Sequence, residues 1–258
     1  MSLNINEFVN FANLLADLAT KTSMMYFRKN INIENKEDES PVTIADKETE
    51  EIIRDNIRKT FPDHGILGEE YESENLESEF IWVIDPIDGT RSYIAGHKDF
   101  GNLISLLHKN QPIIGIINCP AHNERWIGIQ NTKTTCNGKN VNTSKIEKLE
   151  DAYLFSSGIY FYEESFRKGF ENIKEKTKFF RLGGDCYMYG MLSSGLIDIV
   201  IEDTLKAHDY MALINVIEGA GGKITDKLGN PITLNSDGSL IASSSSLLHN
   251  KIINIINN

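Results

Sequence analysis

The chain is short of cysteine, of basic charge and of long apolar runs, and each shortage argues against a class of protein. Its three cysteines, Cys119, Cys136 and Cys186, are widely separated and form no C-x-x-C pair. A disulfide framework and a zinc site are therefore unsupported, and the three read as reduced core residues of a cytosolic protein. Lysine and arginine number 26 against 37 aspartates and glutamates, a formal charge of −11. That balance argues against a sequence-general grip on nucleic acid, which depends on basic patches neutralising phosphates. If the protein handles an anion, something other than net charge must supply the positive field. No run approaches the roughly 18 apolar residues of a membrane span, and the first segment has no cleavage-type ending, so a soluble, cytoplasmic protein with no membrane partner is expected. Repeats, low-complexity tracts and flexible linkers are lacking as well, which predicts halves that share an interface.

What is present is 258 residues, enough for one large α/β domain or two closely fused halves. In "INEFVNFANLLADLATKTSMMYF", Phe8, Phe11, Ala12, Leu15, Leu18, Ala19 and Thr22 recur at steps of three and four, which predicts a packing helix. The polar stretch 32–41 reads as a surface loop. "VTIADKETEEIIRDNIRKTFP" then predicts a second helix with Ala45, Ile52, Ile53 and Phe61 on its apolar face, closed by Pro62. From residue 80 the period shortens: "FIWVI", "GNLISLLH", "PIIGIIN" and "ERWIGI" read as strands, with a hairpin turn at Asn137-Gly138. This half is expected to be mostly antiparallel sheet behind two helices. After about residue 150, strands and helices alternate to a final helix, the pattern of a β/α half.

The stretch "IDPIDGT", residues 84–90, ends an apolar strand with two acids three apart. Strand ends in α/β proteins are where sites gather, and Pro86 restricts the backbone so that Asp85 and Asp88 are expected to converge. Other acids in notable places are Glu69 and Glu70 in "GILGEE", Asp46 in "TIAD", and Glu202 and Asp209 in "IEDTLKAHD". Each also has a plain structural explanation. Asp46 fits a capping box begun by Thr43, Asp209 suits the dipole of a helix start, and Glu70 fits a solvated loop.

Two carboxylates about 4 Å apart repel by about 1 kcal/mol in water and about 4 kcal/mol at an effective dielectric near 20. A cluster of them therefore requires protons or cations. Oxygen ligands without cysteine or histidine call for a hard ion, Mg²⁺ or Mn²⁺, which commonly completes its shell from a phosphate. Gly89 permits close backbone approach, and the N–H groups of Gly89 and Thr90, at the start of an expected helix "TRSYIAG", point at whatever sits there. There is no G-x-x-x-x-G-K-[ST] for a P-loop. An aspartyl-phosphate phosphatase would want its aspartates two apart, and an EF-hand fails because the twelfth position from Asp85 is Gly96.

"GEE" at 68–70, "WVIDPIDGT" at 82–90 and "HDYMALINVIEGAGG" at 208–222 together resemble the three motifs of the inositol monophosphatase superfamily, in order and across nearly the whole chain. The resemblance implies an α/β (α+β) fold, a layered αβαβα sandwich of the sugar-phosphatase type, with the site where two halves meet. Residues 1–148 would supply helices and a large antiparallel sheet carrying most ligands, and 149–258 an α/β half carrying Asp209 and substrate contacts. It implies a lithium-sensitive phosphomonoesterase with two or three Mg²⁺ ions, Mn²⁺ being a possible substitute, and a homodimer. By the same resemblance Glu69, Asp85, the carbonyl of Ile87, Asp88 and Asp209 would hold metal. Glu69, Thr90 and Asp46 would orient the attacking water, and Gly89, Thr90, Arg91, Asp185, Glu202 and Asp209 would meet the substrate.

Within the superfamily, "DGTRSYIAGHKDFGNLISLLH", "GIINCPAHNERWIGI" and "GGDCYMYGMLSSGLIDIVIE" are similar to the bacterial histidinol-phosphate phosphatase branch. Arg91 and the Gly183-Gly184-Asp185 sequence are the branch-like marks. That implies histidinol phosphate as substrate, its ammonium drawn to Asp185 and Glu202. Inositol 1-phosphate is the alternative, followed by fructose 1,6-bisphosphate and 3′-phosphoadenosine nucleotides, and then by a metal-binding protein without turnover. His208 stands where the branch usually has tyrosine, and it is expected to pack rather than to touch substrate.

Overall fold

The computed structural model describes residues 4–35 and 41–258. The first helix, α1, spans Ile5–Tyr26 and buries Phe11, Ala12, Leu15, Ala16 and Ala19 along one stripe. The stretch expected as loop contains strand β1 (Ile33–Asn35), which pairs antiparallel with β2 (Pro41–Thr43). Residues 36–40 lie outside the described residues. Helix α2, Ile44–Thr60, starts at an N-cap Thr43 with the full capping box to Asp46.

A seven-stranded sheet follows, in the order β3 to β9: Gly65–Leu67, Phe80–Asp88, Gly101–His108, Gln111–Cys119, Glu124–Ile129, Thr135–Cys136 and Lys139–Asn140. All its pairings are antiparallel except the first, β3 with β4. The three-residue β3 was not expected. Asn137 and Gly138 both have positive φ, as the predicted hairpin turn demands. The short helix α3 covers Thr90–Ile94, so the helix expected through Gly96 ends two residues early.

The second sheet has five strands in the order β11-β10-β12-β14-β13. They are β10 (Tyr153–Ser156), β11 (Phe179–Leu182), β12 (Ile199–Glu202), β13 (Lys223–Thr225) and β14 (Leu240–Ser243). Interleaved with them are α4 (Glu164–Lys176), α5 (Asp185–Ser193), α6 (Ala207–Gly219) and α7 (Ser246–Ile256).

Strict alternation along buried strands sorts the core into layers. On β4, Trp82 and Ile84 pack with α1 and α2, whereas Ile81 and Val83 face α5 and α6. On β12, Val200 faces α5 and α6, whereas Ile199 and Ile201 pack with α4 and α7. The result is the αβαβα sandwich, with α5 and α6 as the middle layer. Helix α6 lies on the large sheet so closely that a Cβ on Gly115 would come within 2.1 Å of the Ala212 carbonyl oxygen. That approach sets where the first turn of α6, and with it Asp209, meets β4. Among the described residues no helix is long and apolar enough to cross a membrane. The three cysteines are unbridged; Cys119 and Cys186 are buried and Cys136 is partly so.

Candidate active site

Strand β4 does not stop before the acids but runs through Asp88. In a regular strand, residues three apart point to opposite faces. Here Asp85 pairs with Leu103 and Asp88 with Gly101, so three steps on β4 match two on β5. The extra residue is a β-bulge, and it returns Asp88 to the same face as Asp85. Ile87, between them, turns the other way and is buried with Ala45, Tyr93 and Phe100. The spacing of three thus delivers two carboxylates to one point.

Asp209 reaches that point from the second half of the chain. It is the third residue of α6, and its Oδ2 accepts the Lys206 N–H at 2.6 Å, closing the helix start. Carboxylate oxygens of Asp85, Asp88 and Asp209 all lie within 4.8 Å of one another, and oxygens of Glu69 and Asp85 lie within the same distance of a ring nitrogen of His208. His208 is buried and lines the acidic cluster, which the expectation of simple packing did not include.

Burial pushes the carboxyls of Asp85 and Asp88 well above the usual range, and neighbouring negative charge adds to it: Glu69 and Asp88 for Asp85, Asp185 and Asp209 for Asp88. Burial raises Asp209 too, opposed chiefly by His208. This is the electrostatic condition of a cation site: an all-carboxylate cluster, with one imidazole beside it, whose repulsion a hard divalent ion relieves. The donor set fits Mg²⁺ or Mn²⁺.

Asp46 serves two purposes. Its Oδ2 accepts the Thr43 N–H at 2.8 Å and hydroxyl at 2.6 Å, so the capping box is real, while its Oδ1 lies 3.3 Å from the Thr90 hydroxyl. That hydroxyl is also 3.1 Å from the Ile87 carbonyl oxygen. Burial raises the Asp46 carboxyl, against the Thr43 hydrogen bonds that lower it.

Glu69 is held by a device not anticipated from the sequence. The fully buried Glu50 and Arg54 of α2 form an ion pair at 2.7 Å. Glu50 Oε2 accepts the N–H groups of Glu69 and Glu70 at 3.0 and 2.8 Å, and Arg54 donates to the carbonyls of Tyr71 and Glu72. The only signal in the sequence was an acid four residues before a base on a predicted helix, which ordinarily marks a solvated pair.

The remaining predicted residues gather beside the cluster. A small cavity of about 90 Å³ is walled by Asp88, Asp185, Glu202 and Asp209 with Ser157 and Tyr189. It adjoins a second, of about 330 Å³, that shares Ser157, Asp185 and Glu202 and adds Arg91, Tyr160 and Asp203. Gly89, at φ +80°, faces Asp185 so closely that a Cβ would be 2.8 Å from its Cγ. Asp185 itself has φ +40°, a strained position at the start of α5, and accepts the Ser92 hydroxyl at 2.5 Å. Glu202 accepts the Ser157 N–H at 3.2 Å together with the hydroxyls of Ser157 and Tyr189, and burial lifts its carboxyl to about 7. Asp203, which was not predicted, accepts the Tyr162 N–H at 2.8 Å. Together Glu202 and Asp203 tie down both ends of the exposed aromatic segment that carries Tyr160.

An acidic cluster fit for a hard cation stands at a bulged strand end of this sandwich, beside a polar cavity, an arrangement that suits a phosphoric monoester hydrolase. Residues 4–258 match the inositol monophosphatase family, and the chain belongs to it. The bifunctional phosphatase IMPL2 of Arabidopsis thaliana chloroplasts is 41% identical over 93% of this chain and 70% of its own. The histidinol-phosphatase of Chlorobaculum parvum is 31% identical over 94% of both. Among solved structures, the inositol monophosphatase of Zymomonas mobilis superposes with a TM-score of 0.90 at 36% identity, over 99% of this chain and 100% of its own.

Proposed function

We propose that this phosphatase hydrolyses histidinol phosphate in a Mg²⁺-dependent reaction, with Glu69, Asp85, Asp88, Asp209 and the Ile87 carbonyl as ligands of two or three ions. When bound there, Mg²⁺ lowers the pKa of water and offsets charge on the phosphate and on the departing alkoxide. The chain's own residues do the positioning. Asp46 fixes the Thr90 hydroxyl, and Thr90 and Glu69 hold the attacking water in line with the ester bond. The water oxygen bonds to phosphorus as the ester P–O bond breaks, and the alcohol leaves with a proton. Gly89, Thr90, Arg91 and Asp209 lie around the phosphate.

The observation that carries the substrate reading is the cavity beside the cluster, whose carboxylates are Asp185, Glu202 and Asp203. It suits an alcohol bearing an ammonium and an imidazole, to which the segment bearing Tyr160 adds an aromatic wall. A bisphosphate would bring a second anion against the same acids, so fructose 1,6-bisphosphate and 3′-phosphoadenosine nucleotides fit less well. Inositol 1-phosphate, neutral in its alcohol part, is the second reading. The halves 1–148 and 149–258 meet at this site in our reading. We extend it to a cytoplasmic enzyme, which three unbridged thiols suit, and, by family resemblance, to a lithium-sensitive homodimer.

The deciding test is phosphate release with Mg²⁺ and after chelation, comparing L-histidinol phosphate with inositol 1-phosphate at equal low concentration. A preference for the former above about tenfold, roughly 1.4 kcal/mol of transition-state discrimination, is expected. Equal or reversed rates would leave a general inositol-phosphatase-type enzyme. No release from any ester, with metal bound, would make it a binding protein.

A further inference from the structure

The bulge that brings Asp85 and Asp88 together needs something to hold it, because Pro86 has no N–H and its carbonyl lies where the ladder is interrupted. Asn102, fully buried on β5 between the partners of Asp88 and Asp85, supplies the contact: its Nδ2 donates to the Pro86 carbonyl at 2.6 Å. It does not act alone. Asn102 pairs across the sheet with Asn118 of β6, and Asn118 with Arg125 of β7. Asn118 Nδ2 donates to Asn102 Oδ1 at 2.7 Å, and Arg125 Nε donates to Asn118 Oδ1 at 2.8 Å. At the outer end Arg125 is one-fifth exposed and donates to Asn13 and Asp17 of α1 at 3.0 and 2.7 Å.

The direction of this chain follows from its ends. A guanidinium can only donate and a carbonyl can only accept, so both intervening amides must face the way they do. The Pro86 carbonyl demands an N–H from Asn102, and Arg125, together with the Thr20 hydroxyl that Asn118 Nδ2 meets at 2.9 Å, holds the far end of the relay in the matching orientation. We propose that Asn102, Asn118 and Arg125 are positioning residues that fix the Asp85–Asp88 bulge and so set the metal affinity of the site, without touching metal or substrate. This rests on the metal-site reading above.

The test measures Mn²⁺ binding by the electron paramagnetic resonance of the free ion, with thermal unfolding in chelator as the control for fold. Asn102→Leu should weaken Mn²⁺ binding by about 10- to 100-fold, the range for residues that orient metal ligands. Arg125→Met, at the rim, should weaken it by about tenfold, and Arg125→Lys, which keeps a donor, should restore it to near the wild-type value. If Asn102→Leu does not fold, Arg125→Met against Arg125→Lys decides alone. Unchanged Mn²⁺ affinity in Arg125→Met, whatever its melting temperature, overturns the proposal. Wild-type protein that binds no Mn²⁺ overturns the metal-site reading itself and the relay with it.

Discussion

Asp46 Oδ1 lies 3.3 Å from the hydroxyl of Thr90, 44 residues further along the chain, while its other oxygen caps α2. One carboxylate thus joins the first turn of a helix to the turn that follows β4. Asp46→Asn should keep the capping box, since an amide oxygen at the same place can still accept the Thr43 N–H, but lose the charge facing Thr90. Turnover is expected to fall by about 10² or more with little change in melting temperature. A variant that keeps wild-type kcat would remove Asp46 from the mechanism.

Asp88→Asn separates binding from folding. In chelator it should melt higher than the wild type, because one member of a repelling buried cluster is gone. It should also lose both phosphatase activity and the rise in melting temperature that Mg²⁺ gives the wild type. Full activity, or an undiminished Mg²⁺ shift, would show that the metal is held elsewhere.

The Glu50–Arg54 pair predicts a non-additive result. Arg54→Met leaves Glu50 as an uncompensated buried charge and should destabilise by about 3–5 kcal/mol. The double variant Glu50→Leu/Arg54→Met should be more stable than Arg54→Met alone, yet remain poorly active because Glu69 loses the carboxylate that accepts its backbone N–H. Urea unfolding of the three proteins checks the first statement and phosphate release the second.

Glu202 gives a pH dependence with a definite sign. Its carboxyl titrates at about 7 when folded, against an ordinary value of 4.5. The folded state therefore holds this proton more tightly, so stability falls as pH rises from 4.5 through 7. The full effect is on the order of 3 kcal/mol. Measured in chelator, the melting temperature of Glu202→Gln should decline less over that window than that of the wild type. Parallel curves would mean that another group carries the dependence.

Legibility from sequence followed the range of the forces involved. Helices α1 and α2 and strands β4 to β7 were readable because burial imposes its period locally on Phe11, Leu15 and Ile53, or on Trp82 and Ile84. Strand β3, three residues long, and the β1–β2 ribbon have too few positions to show a period. The capping box at Thr43 was readable for the same local reason. That the same aspartate also faces Thr90 was not derivable from that local pattern.

By itself the sequence determined that acids would stand at a strand end beside a glycine turn, that a cluster of them would call for protons or a hard cation, and, by resemblance of three motifs, which family they serve. The tertiary structure decided how they converge. A bulge turns a spacing of three into one face, the close seat of α6 on Gly115 brings Asp209 to β4, and Glu50, Arg54 and Asn102 hold the loops in place. It also decided that His208 lines the cluster and that Asp203 joins Asp185 and Glu202 in the neighbouring cavity. These depend on contacts between residues far apart in the chain, where hydrogen bonds and charges act through space and leave no periodic trace along it.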